Sequence, residues 1–431
     1  MLFERPGTGE TALLVHVDFT SAISQNDSDE FQELARAAGA EVVHYLRGRK
    51  DRPDPKFFVG TGKVAELVQL VKDLCIELVL FNHDLSPSQE RNLERELKCR
   101  VLGRTGLILD IFAQRARTHE GKLQVELAQL QHMSTRLVRG WTHLERQKGG
   151  IGLRGPGETQ LESDRRLLRG RIKSIQKRLE KVRSQRAQGR RARDRADLPT
   201  ISLVGYTNAG KSTLFNTLTN AEVMVKNQLF ATLDPTMRRV DIQQIGPVVI
   251  ADTVGFVSNL PHTLVEAFRA TLEEAAQADL LLQVIDISDN SWNEQGVHVD
   301  EVLEEIKADE LPRLRVLNKI DRVEGMESRV EYGEDGKPSA VWVSAARGLG
   351  IDLLKQAVAE HIKADQVEGW YVLKPQQGRL LARLHELSAV QHQQYKGNGD
   401  CEVLISIKRP DWLRTLHQEG IVEQTMTPLQ S

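Results

Sequence analysis

A nine-residue stretch near the middle of the chain has the residue types and spacing of a phosphate-binding loop. Residues 204–212 read VGYTNAGKS and fit the pattern G-x-x-x-x-G-K-[ST] between a strand-like and a helix-like segment. Gly205 and Gly210 let the backbone turn its N–H groups toward a phosphate at the positive end of the following helix. Lys211 can reach the β- and γ-phosphates, and the Ser212 hydroxyl can bind Mg²⁺. These residues predict a nucleoside triphosphate site, open at this point to either ATP or GTP.

Three later motifs, each at the end of a strand-like segment, select GTP. Residues 252–255 (DTVG) can hold Mg²⁺ through a water molecule and offer the Gly255 N–H to the γ-phosphate. Residues 318–321 (NKID) place the Asp321 carboxylate to accept from N1–H and the exocyclic amine of guanine, a pairing that adenine does not offer. A site built for such a group strongly rejects analogues that lack it. Residues 344–346 (SAA) supply backbone N–H groups for the guanine oxygen, so we predict an enzyme that hydrolyses GTP to GDP and phosphate.

The predicted contacts from these motifs surround the whole nucleotide. They are Gly205, Tyr206, Thr207, Asn208, Ala209, Gly210, Lys211, Ser212, Thr213, Asp252, Thr253, Val254, Gly255, Asn318, Lys319, Asp321, Ser344, Ala345 and Ala346. Lys211 and Gly255 are assigned to the chemistry, and Ser212 to the metal ion. The predicted cofactors are GTP and Mg²⁺.

Composition narrows the class of protein. A chain of 431 residues predicts about two to four domains. It has no apolar run of membrane-spanning length and no basic-plus-apolar segment at its start that would indicate a secretory signal. Its three scattered cysteines lack C-x-x-C spacing, which indicates a reducing compartment and no zinc site. We expect a cytoplasmic monomer; peripheral association with a membrane cannot be read from the sequence.

The net charge of −2 conceals a polarised chain. Residues 115–195 contain 22 Lys/Arg against 8 Asp/Glu, a surplus of 14, which leaves −16 for the other residues. Such asymmetry points to a polyanionic partner that one region alone engages. We expect that partner to be RNA and expect no binding to DNA.

Residues 1–115 predict an α/β domain with a mainly parallel sheet. Strand-like segments at 13–17, 41–45 and 77–81 alternate with amphipathic helices at about 28–39, 62–74 and 87–98. Residues 57–64 (FFVGTGKV) look briefly like a second phosphate loop. Phe57 replaces the first glycine and Val64 the metal-binding Ser/Thr, so we interpret the stretch as a Gly-rich turn into a helix, with phosphate or RNA contact as the alternative.

Residues 116–198 predict an antiparallel helical hairpin, a coiled coil with a basic outer face. Two heptad-like series flank a Gly-rich link at 149–157, and helices joined by a short loop pair along their apolar seams. A first helix of 26 residues, 122–147, would be ~39 Å long. Between 163 and 195, fourteen basic residues face Asp164, Glu180 and Asp194 alone, which favours RNA contact. The first series is Leu123, Leu127, Leu130, Leu137, Trp141 and Leu144, and the second is Leu161, Leu168, Ile172, Ile175, Leu179 and Val182.

The remaining chain completes a four-part organisation of α/β class. Residues 190–200 are predicted as the linker into a P-loop GTPase domain over 199–365. Residues 366–431 predict a small α+β domain, read as a strand, a helix at 376–389, a strand at 402–407 and a helix from 410. No motif in this last part indicates chemistry.

Taken together, these features resemble the HflX family of ribosome-associated GTPases. The matching stretches are residues 54–60 (DPKFFVG), 110–116 (DIFAQRA), 149–160 (GGIGLRGPGETQ), 229–236 (LFATLDPT) and the loop at Gly205. The Gly-rich tip is the specific part, because other GTPase families share only the nucleotide motifs. The resemblance implies that Phe230, Ala231 and Thr232 contact the nucleotide, and that the Thr232 hydroxyl joins Mg²⁺ and the chemistry, with Thr236 as the alternative.

The resemblance also implies a partner and a task. The expected partner is the large ribosomal subunit and its rRNA, with the hairpin tip reaching toward the peptidyl transferase centre. The expected task is the dissociation of stalled or idle ribosomes into subunits, especially under stress. Two alternatives remain open: an assembly checkpoint on maturing large subunits, and an rRNA-remodelling protein whose residues 1–115 use ATP.

Phe256 departs from ordinary signalling GTPases, many of which carry a water-orienting Gln at this place. A benzyl group cannot position the attacking water. Hydrolysis must then rest on Mg²⁺, Lys211 and backbone donors, with a further group supplied by substrate, switch loops or partner. We therefore expect slow intrinsic hydrolysis that the large subunit accelerates.

Overall fold

The described strands form three separate sheets. The computed structural model describes residues 9–19, 26–140, 160–195, 198–220, 229–230, 232–258, 275–364, 366–387, 389–397 and 399–421. Within these ranges the strands form one four-stranded, one seven-stranded and one three-stranded sheet. No helix in the described ranges is both long and apolar enough to cross a membrane. The α/β class predicted from the sequence is confirmed.

The first sheet follows the strand–helix alternation predicted for residues 1–115. Its strands are β1 (Thr11–Asp18), β2 (Glu41–Arg49), β3 (Leu78–Phe81) and β4 (Arg100–Leu102), in the order β2-β1-β3-β4 with all pairs parallel. The helices are α1 (Asn26–Ala37), α2 (Thr61–Asp73), α3 (Pro87–Leu97) and α4 (Arg104–Arg115). β4 and α4 were not among the elements expected from the sequence.

Strands β1 and β3 of the first sheet are buried on both faces, because successive side chains of a strand point to opposite faces and helices cover each face. Leu13 packs with the residues of α2 and α3, whereas Leu14 packs with those of α1 and α4. Residues 57–64, which resemble a second phosphate loop in sequence, belong to this core and to the start of α2. Phe57 and Phe58 are buried, and Gly60 is the N-cap of α2.

The hairpin helices pair antiparallel, as their heptad-like spacing indicates. α5 (His119–Gly140) and α6 (Gln160–Arg195) share a seam of buried apolar side chains. Arg171 pairs with Glu126, and Arg186, further along α6, pairs with the earlier Glu120. The seam residues are Leu123, Leu127, Leu130, Ile175 and Leu179. Residues 141–159, and with them Trp141, Leu144 and the predicted tip, lie outside the described residues.

The prediction that residues 190–200 form a linker is wrong for its first half. Helix α6 continues to Arg195, because this stretch is rich in helix-forming Arg and Ala and has no Pro before 199. Pro199 directly precedes the next strand.

The seven-stranded sheet brings the nucleotide motifs to one edge. Its strands are β5 (Thr200–Gly205), β6 (Thr236–Ile242), β7 (Gly246–Asp252), β8 (Leu280–Asp286), β9 (Arg313–Asn318), β10 (Val330–Tyr332) and β11 (Pro338–Trp342), in the order β10-β11-β9-β8-β5-β7-β6. The five inner strands are parallel, and β6 and β10 add antiparallel edges. Its described helices are α7 (Lys211–Thr219), α8 (Trp292–Glu305) and α9 (Ile351–Ala364). Carboxyl ends of parallel strands meet at one edge, so the motifs after β5, β7, β9 and β11 converge.

The third sheet is antiparallel and covers residues 366–408. It has the order β12-β14-β13, from β12 (Gln366–Leu373), β13 (Val390–Tyr395) and β14 (Cys401–Lys408), and packs with α10 (Gly378–Glu386) and α11 (Arg409–Gln418). The sequence did not predict β13, whose residues VQHQQY are mostly polar and exposed.

One apolar cluster joins the first sheet to the nucleotide loops. It contains Phe112 of α4 and Val125 of α5, together with Phe230 and Phe256 beside the nucleotide motifs. The Phe112 and Phe230 rings meet edge to face, with centroids 4.6 Å apart. The loops around the site therefore rest on elements from outside their own sheet.

Candidate nucleotide-binding site

The loop between β5 and α7 has the shape that phosphate binding needs. Gly205 has a φ of +144°, and a Cβ on it would lie 2.3 Å from the Val284 carbonyl oxygen, so this tight passage requires glycine. Asn208 has a φ of 63°, a left-handed conformation that Asn tolerates. Helix α7 begins at Lys211, which places its N–H groups and positive end against the loop.

Lys211 is buried at the centre of this loop. Its Nζ donates to the carbonyl oxygens of Gly205, at 3.0 Å, and Tyr206, at 2.6 Å. Burial lowers the pKa of Lys211 to about 8, although the nearby Asp252 acts in the opposite direction. A cation shielded from water in this way binds a phosphate more strongly than a solvated cation would.

Three oxygen-bearing side chains meet next to Lys211. Ser212 Oγ and Thr232 Oγ1 lie 2.7 Å apart, and they contact Asp252 Oδ2 at 2.8 and 2.9 Å. Asp252 is fully buried, and burial raises the pKa of its carboxyl group. The competing candidate, Thr236, lies in β6 and pairs with Asp252 through the sheet.

This oxygen cluster fits Mg²⁺. Hydroxyl and carboxylate oxygens are the hard donors that the ion prefers. The Asp252 Oδ1 atom is buried and has no hydrogen-bond partner among the described residues, so one lone-pair direction remains for an ion or its water ligand. Ser212 and Thr232 are therefore the side chains that would hold the ion, with Asp252 beside them.

The opposite end of the site is built by residues after β9 and β11. Asn318 crosses it, donating from Nδ2 to the Ala209 carbonyl at 2.8 Å and accepting at Oδ1 from Ala345 N–H at 3.0 Å. Asp321 accepts from the Ser344 hydroxyl at 2.5 Å. Lys319 pairs with Asp286 at the end of β8. These bonds hold the Asp321 carboxylate at the rim of the pocket.

A cavity of about 160 Å³ unites most of the predicted residues. Its lining includes Thr207, Asn208, Gly210, Lys211, Ser212, Thr213, Phe230, Thr232, Thr253, Gly255, Asn318, Lys319, Asp321, Ala345 and Ala346. Gly205, Tyr206, Ala209, Asp252, Val254 and Ser344 are not among its lining residues, and Ala231 lies outside the described residues. Arg322, which the sequence analysis missed, also lines it, and its place directly after the guanine motif was the available signal.

The Phe256 side chain is in the protein core, with 1% of its surface exposed. Its backbone pairs with the phosphate loop: Thr207 N–H donates to the Phe256 carbonyl at 2.7 Å, and Phe256 N–H donates to the Gly205 carbonyl at 3.1 Å. The residue after the DTVG motif therefore anchors the loop and does not reach into the site.

Three residues that no motif predicts join Tyr206 of the phosphate loop to the first sheet. The Tyr206 hydroxyl donates to Glu30 of α1 and accepts from Ser258 N–H at 2.7 Å. Arg104, at the start of α4, pairs with Glu30 and donates to the Ser258 carbonyl at 2.9 Å. No sequence pattern could have indicated this network, because its members are far apart in the chain and only Tyr206 lies in a motif.

Fold and site together define a P-loop GTPase, and comparison with known proteins agrees. Residues 200–319 match a family described as 50S ribosome-binding GTPase. Residues 25–113 and 115–193 match families described as GTP-binding GTPase N-terminal and GTP-binding GTPase Middle Region. The chain is 56% identical over 418 residues to GTPase HflX of Escherichia coli (strain K12), covering 97% of this chain and 98% of that protein. The chain belongs to the HflX family of GTPases.

A second relative is consistent with this assignment. GTPase HflX of Magnetococcus marinus is 46% identical over 366 residues, covering 84% of this chain and 84% of that protein. Among solved structures, the crystal structure of the SsGBP and GDP complex is 27% identical with a TM-score of 0.48, covering 81% of this chain and 97% of that one. The predicted family and the predicted GTP hydrolysis are confirmed.

Proposed function

We propose that this GTPase binds the large ribosomal subunit in the cytoplasm and dissociates stalled or idle ribosomes into subunits. The observation that carries the proposal is the joining of a GTP site to a basic helical hairpin in a chain whose GTPase region matches a family described as 50S ribosome-binding. Binding would be gated by GTP and release by its hydrolysis.

The outer face of α6 offers a row of cations to RNA. Arg169, Lys173, Lys177 and Lys181 follow one another at intervals of four residues, and all four are exposed. Four residues of α-helix rise by ~6 Å, so the row forms a continuous stripe along one side of the helix. No ion pair or hydrogen bond to another described side chain engages them, and like charges at this spacing repel in the absence of an anion. An RNA backbone would relieve that repulsion.

The chemistry at the nucleotide rests on residues already brought together. Bound Mg²⁺ would neutralise charge on the β- and γ-phosphate oxygens. Lys211 would exchange its two carbonyl acceptors for phosphate oxygens, and the Gly255 N–H would face the γ-phosphate. Because Phe256 is buried, its side chain does not orient the attacking water, so intrinsic hydrolysis should be slow.

The first experiment is GTP turnover by the full chain with purified large subunits, with small subunits, and with neither. Strong stimulation by large subunits alone is the expected result. Equal rates in all three mixtures would refute the ribosomal partner. Sedimentation of complete ribosomes with the GTP-bound chain then tests the task, because splitting yields free subunits. Binding confined to immature large subunits would instead support an assembly checkpoint.

A further inference from the structure

The loop that carries Thr232 also caps the first helix of the hairpin. Asp234 Oδ2 accepts from the backbone N–H of Arg117 at 2.8 Å and of Thr118 at 2.9 Å. Asp234 Oδ1 accepts from the Thr118 hydroxyl at 2.5 Å, and that hydroxyl accepts from Gly121 N–H at 3.0 Å. A carboxylate is favoured at this place because the free N–H groups and positive end of α5 point toward it.

Gly121 makes room for this contact. A Cβ on Gly121 would lie 2.0 Å from Asp234 Oδ1, closer than any real contact. Glycine in a helix costs stability relative to alanine, so the first turn of α5 carries a residue that the helix alone does not favour. The close approach of Asp234 accounts for it.

The Thr232 loop is thus held on both sides of Thr232 by elements outside the nucleotide sheet. On one side the Phe230 ring rests against Phe112 of α4. On the other side Leu233 is buried and Asp234 caps α5. The position of Thr232 at Ser212 and Asp252 therefore depends on where the base of the hairpin sits.

We propose that Asp234 is a positioning residue for GTP hydrolysis, which ties Thr232 to the N-terminus of α5 so that movement at the hairpin base and the placing of Thr232 are coupled. The inference rests on the proposed role of Thr232 at Mg²⁺ and is independent of the ribosomal partner. Movement of the hairpin would reach Thr232 through the three hydrogen bonds to Asp234 and through the buried Leu233 between them.

The test compares ribosome-free GTP hydrolysis by full-length variants Asp234→Asn, Thr118→Val and Gly121→Ala. Each should lower kcat by about tenfold and raise the Mg²⁺ concentration for half-maximal rate several-fold. Asp234→Asn and Thr118→Val weaken the hydrogen bonds to the charged carboxylate, whereas the Cβ of Gly121→Ala displaces that carboxylate. GDP affinity should remain within about twofold of the parent, because Thr232 is assigned to the Mg²⁺ ion beside the γ-phosphate, which GDP lacks. Thr118→Ser keeps the hydroxyl and should retain the parental rate.

Matched controls separate positioning from a general loss of stability. Gly62→Ala changes a glycine in the first turn of α2 with nothing within 4 Å of its Cβ, and should leave kcat unchanged. Asp241→Asn changes an exposed aspartate on β6 and should do the same. Gly121→Ala also improves helix propensity, so a lower kcat in a chain that unfolds at or above the parental temperature would exclude simple unfolding.

Parental kcat and Mg²⁺ dependence in both Asp234→Asn and Gly121→Ala would overturn the proposal. Thr232→Ala shows which premise failed. If it is impaired while the Asp234 variant is not, Thr232 acts at the metal without Asp234. If it too is unchanged, the metal role of Thr232 is wrong. Stimulation by large subunits is read separately in the parental chain.

Discussion

Asp321 shows how a single side chain can define the base. It is held by the Ser344 hydroxyl at 2.5 Å, and Arg347 Nε lies 3.7 Å from its other oxygen. The carboxylate is the predicted acceptor for guanine N1–H and for the exocyclic amine. Adenine offers neither donor at these positions, and xanthine keeps N1–H but has an oxygen in place of the amine. The hydrogen bond from Ser344 fixes the orientation of the Asp321 carboxylate before the nucleotide binds. Binding therefore costs little additional side-chain entropy.

Asp321→Asn should exchange guanine for xanthine selectivity. The amide presents a donor where the carboxylate accepted, so GTP affinity should fall by about 100-fold and XTP should become the better substrate. Competition between the two nucleotides in a binding assay measures the change. Asp309→Asn, an exposed residue away from the site, is the control. Retained preference for GTP would contradict the assignment of Asp321.

At the level of elements, hydrophobic periodicity predicted the regular helices and strands and missed the strands that are short or polar. β1, β2, β3 and helices α1 to α3 lie within a few residues of their predicted places, because apolar runs and amphipathic spacing are strong signals. β4 has three residues and β13 is polar, so neither leaves such a signal. In α4 the buried apolar residues, among them Leu107, Ile108 and Phe112, follow one another so closely that no one-sided amphipathic pattern can be seen.

The residues of the site also fall into a group that sequence motifs predict and a group that they do not. Its nucleotide residues lie in fixed-spacing motifs because a phosphate and a guanine impose fixed geometry, and a single sequence contains that pattern. The contacts of Glu30, Arg104 and Asp234 come from tertiary packing between distant segments. No local sequence pattern encodes these contacts, so only the structure reveals them.

The Tyr206 hydroxyl network should contribute stability without contributing nucleotide affinity. Tyr206 lies outside the nucleotide cavity and lines a neighbouring one, while its hydroxyl accepts from the buried Ser258 N–H. Tyr206→Phe leaves that donor unpaired and should lower the free energy of unfolding by about 1–2 kcal/mol. GDP affinity should change by less than about threefold.

Chemical denaturation and GDP titration measure the two quantities on the same samples. Tyr332→Phe removes a hydroxyl from a side chain that is 57% exposed, and should change neither. A Tyr206→Phe protein with parental stability would mean that the hydroxyl is not an essential link between α1 and the phosphate loop.

For the whole molecule, two partly buried histidines should make the fold sensitive to acid. Burial, with the nearby His16 acting in the same direction, lowers the pKa of His83 to about 4, and burial likewise lowers that of His132 to about 4. An unfolded chain takes up these protons near pH 6.5, whereas the folded chain does not until about pH 4. Stability is therefore complete above pH 6.5 and is lost as the pH falls from 6.5 toward 4.

His83→Asn should flatten part of this acid dependence. The free energy of unfolding of the parental chain should fall between pH 7 and pH 4.5 by about 2–3 kcal/mol more than that of the variant. His44→Asn, at an exposed position on β2, is the control and should follow the parent. Denaturant titrations across the pH range measure the slopes. A variant curve parallel to the parental one would mean that His83 does not titrate in this window.

The polarised charge of the whole chain should control how it meets its partner. Residues 115–195 hold a surplus of 14 positive charges while the other residues sum to −16, so a polyanion should be attracted to the hairpin and repelled elsewhere. Releasing counterions from the polyanion makes such binding salt-dependent, by about 0.7–0.9 in log–log slope for each phosphate neutralised. The stripe on α6 should supply much of that slope.

Replacing Lys173, Lys177 and Lys181 together by Gln should weaken binding to large subunits and reduce the log–log salt slope by about 2 to 3. Gln preserves helix propensity, so α6 should remain intact. The matched control replaces three exposed lysines elsewhere, Lys72, Lys98 and Lys307, and changes the net charge equally. If the log–log salt slope falls by the same amount in both triple variants, the attraction depends on net charge alone. If only the stripe variant does, the outer face of α6 is the surface that RNA contacts.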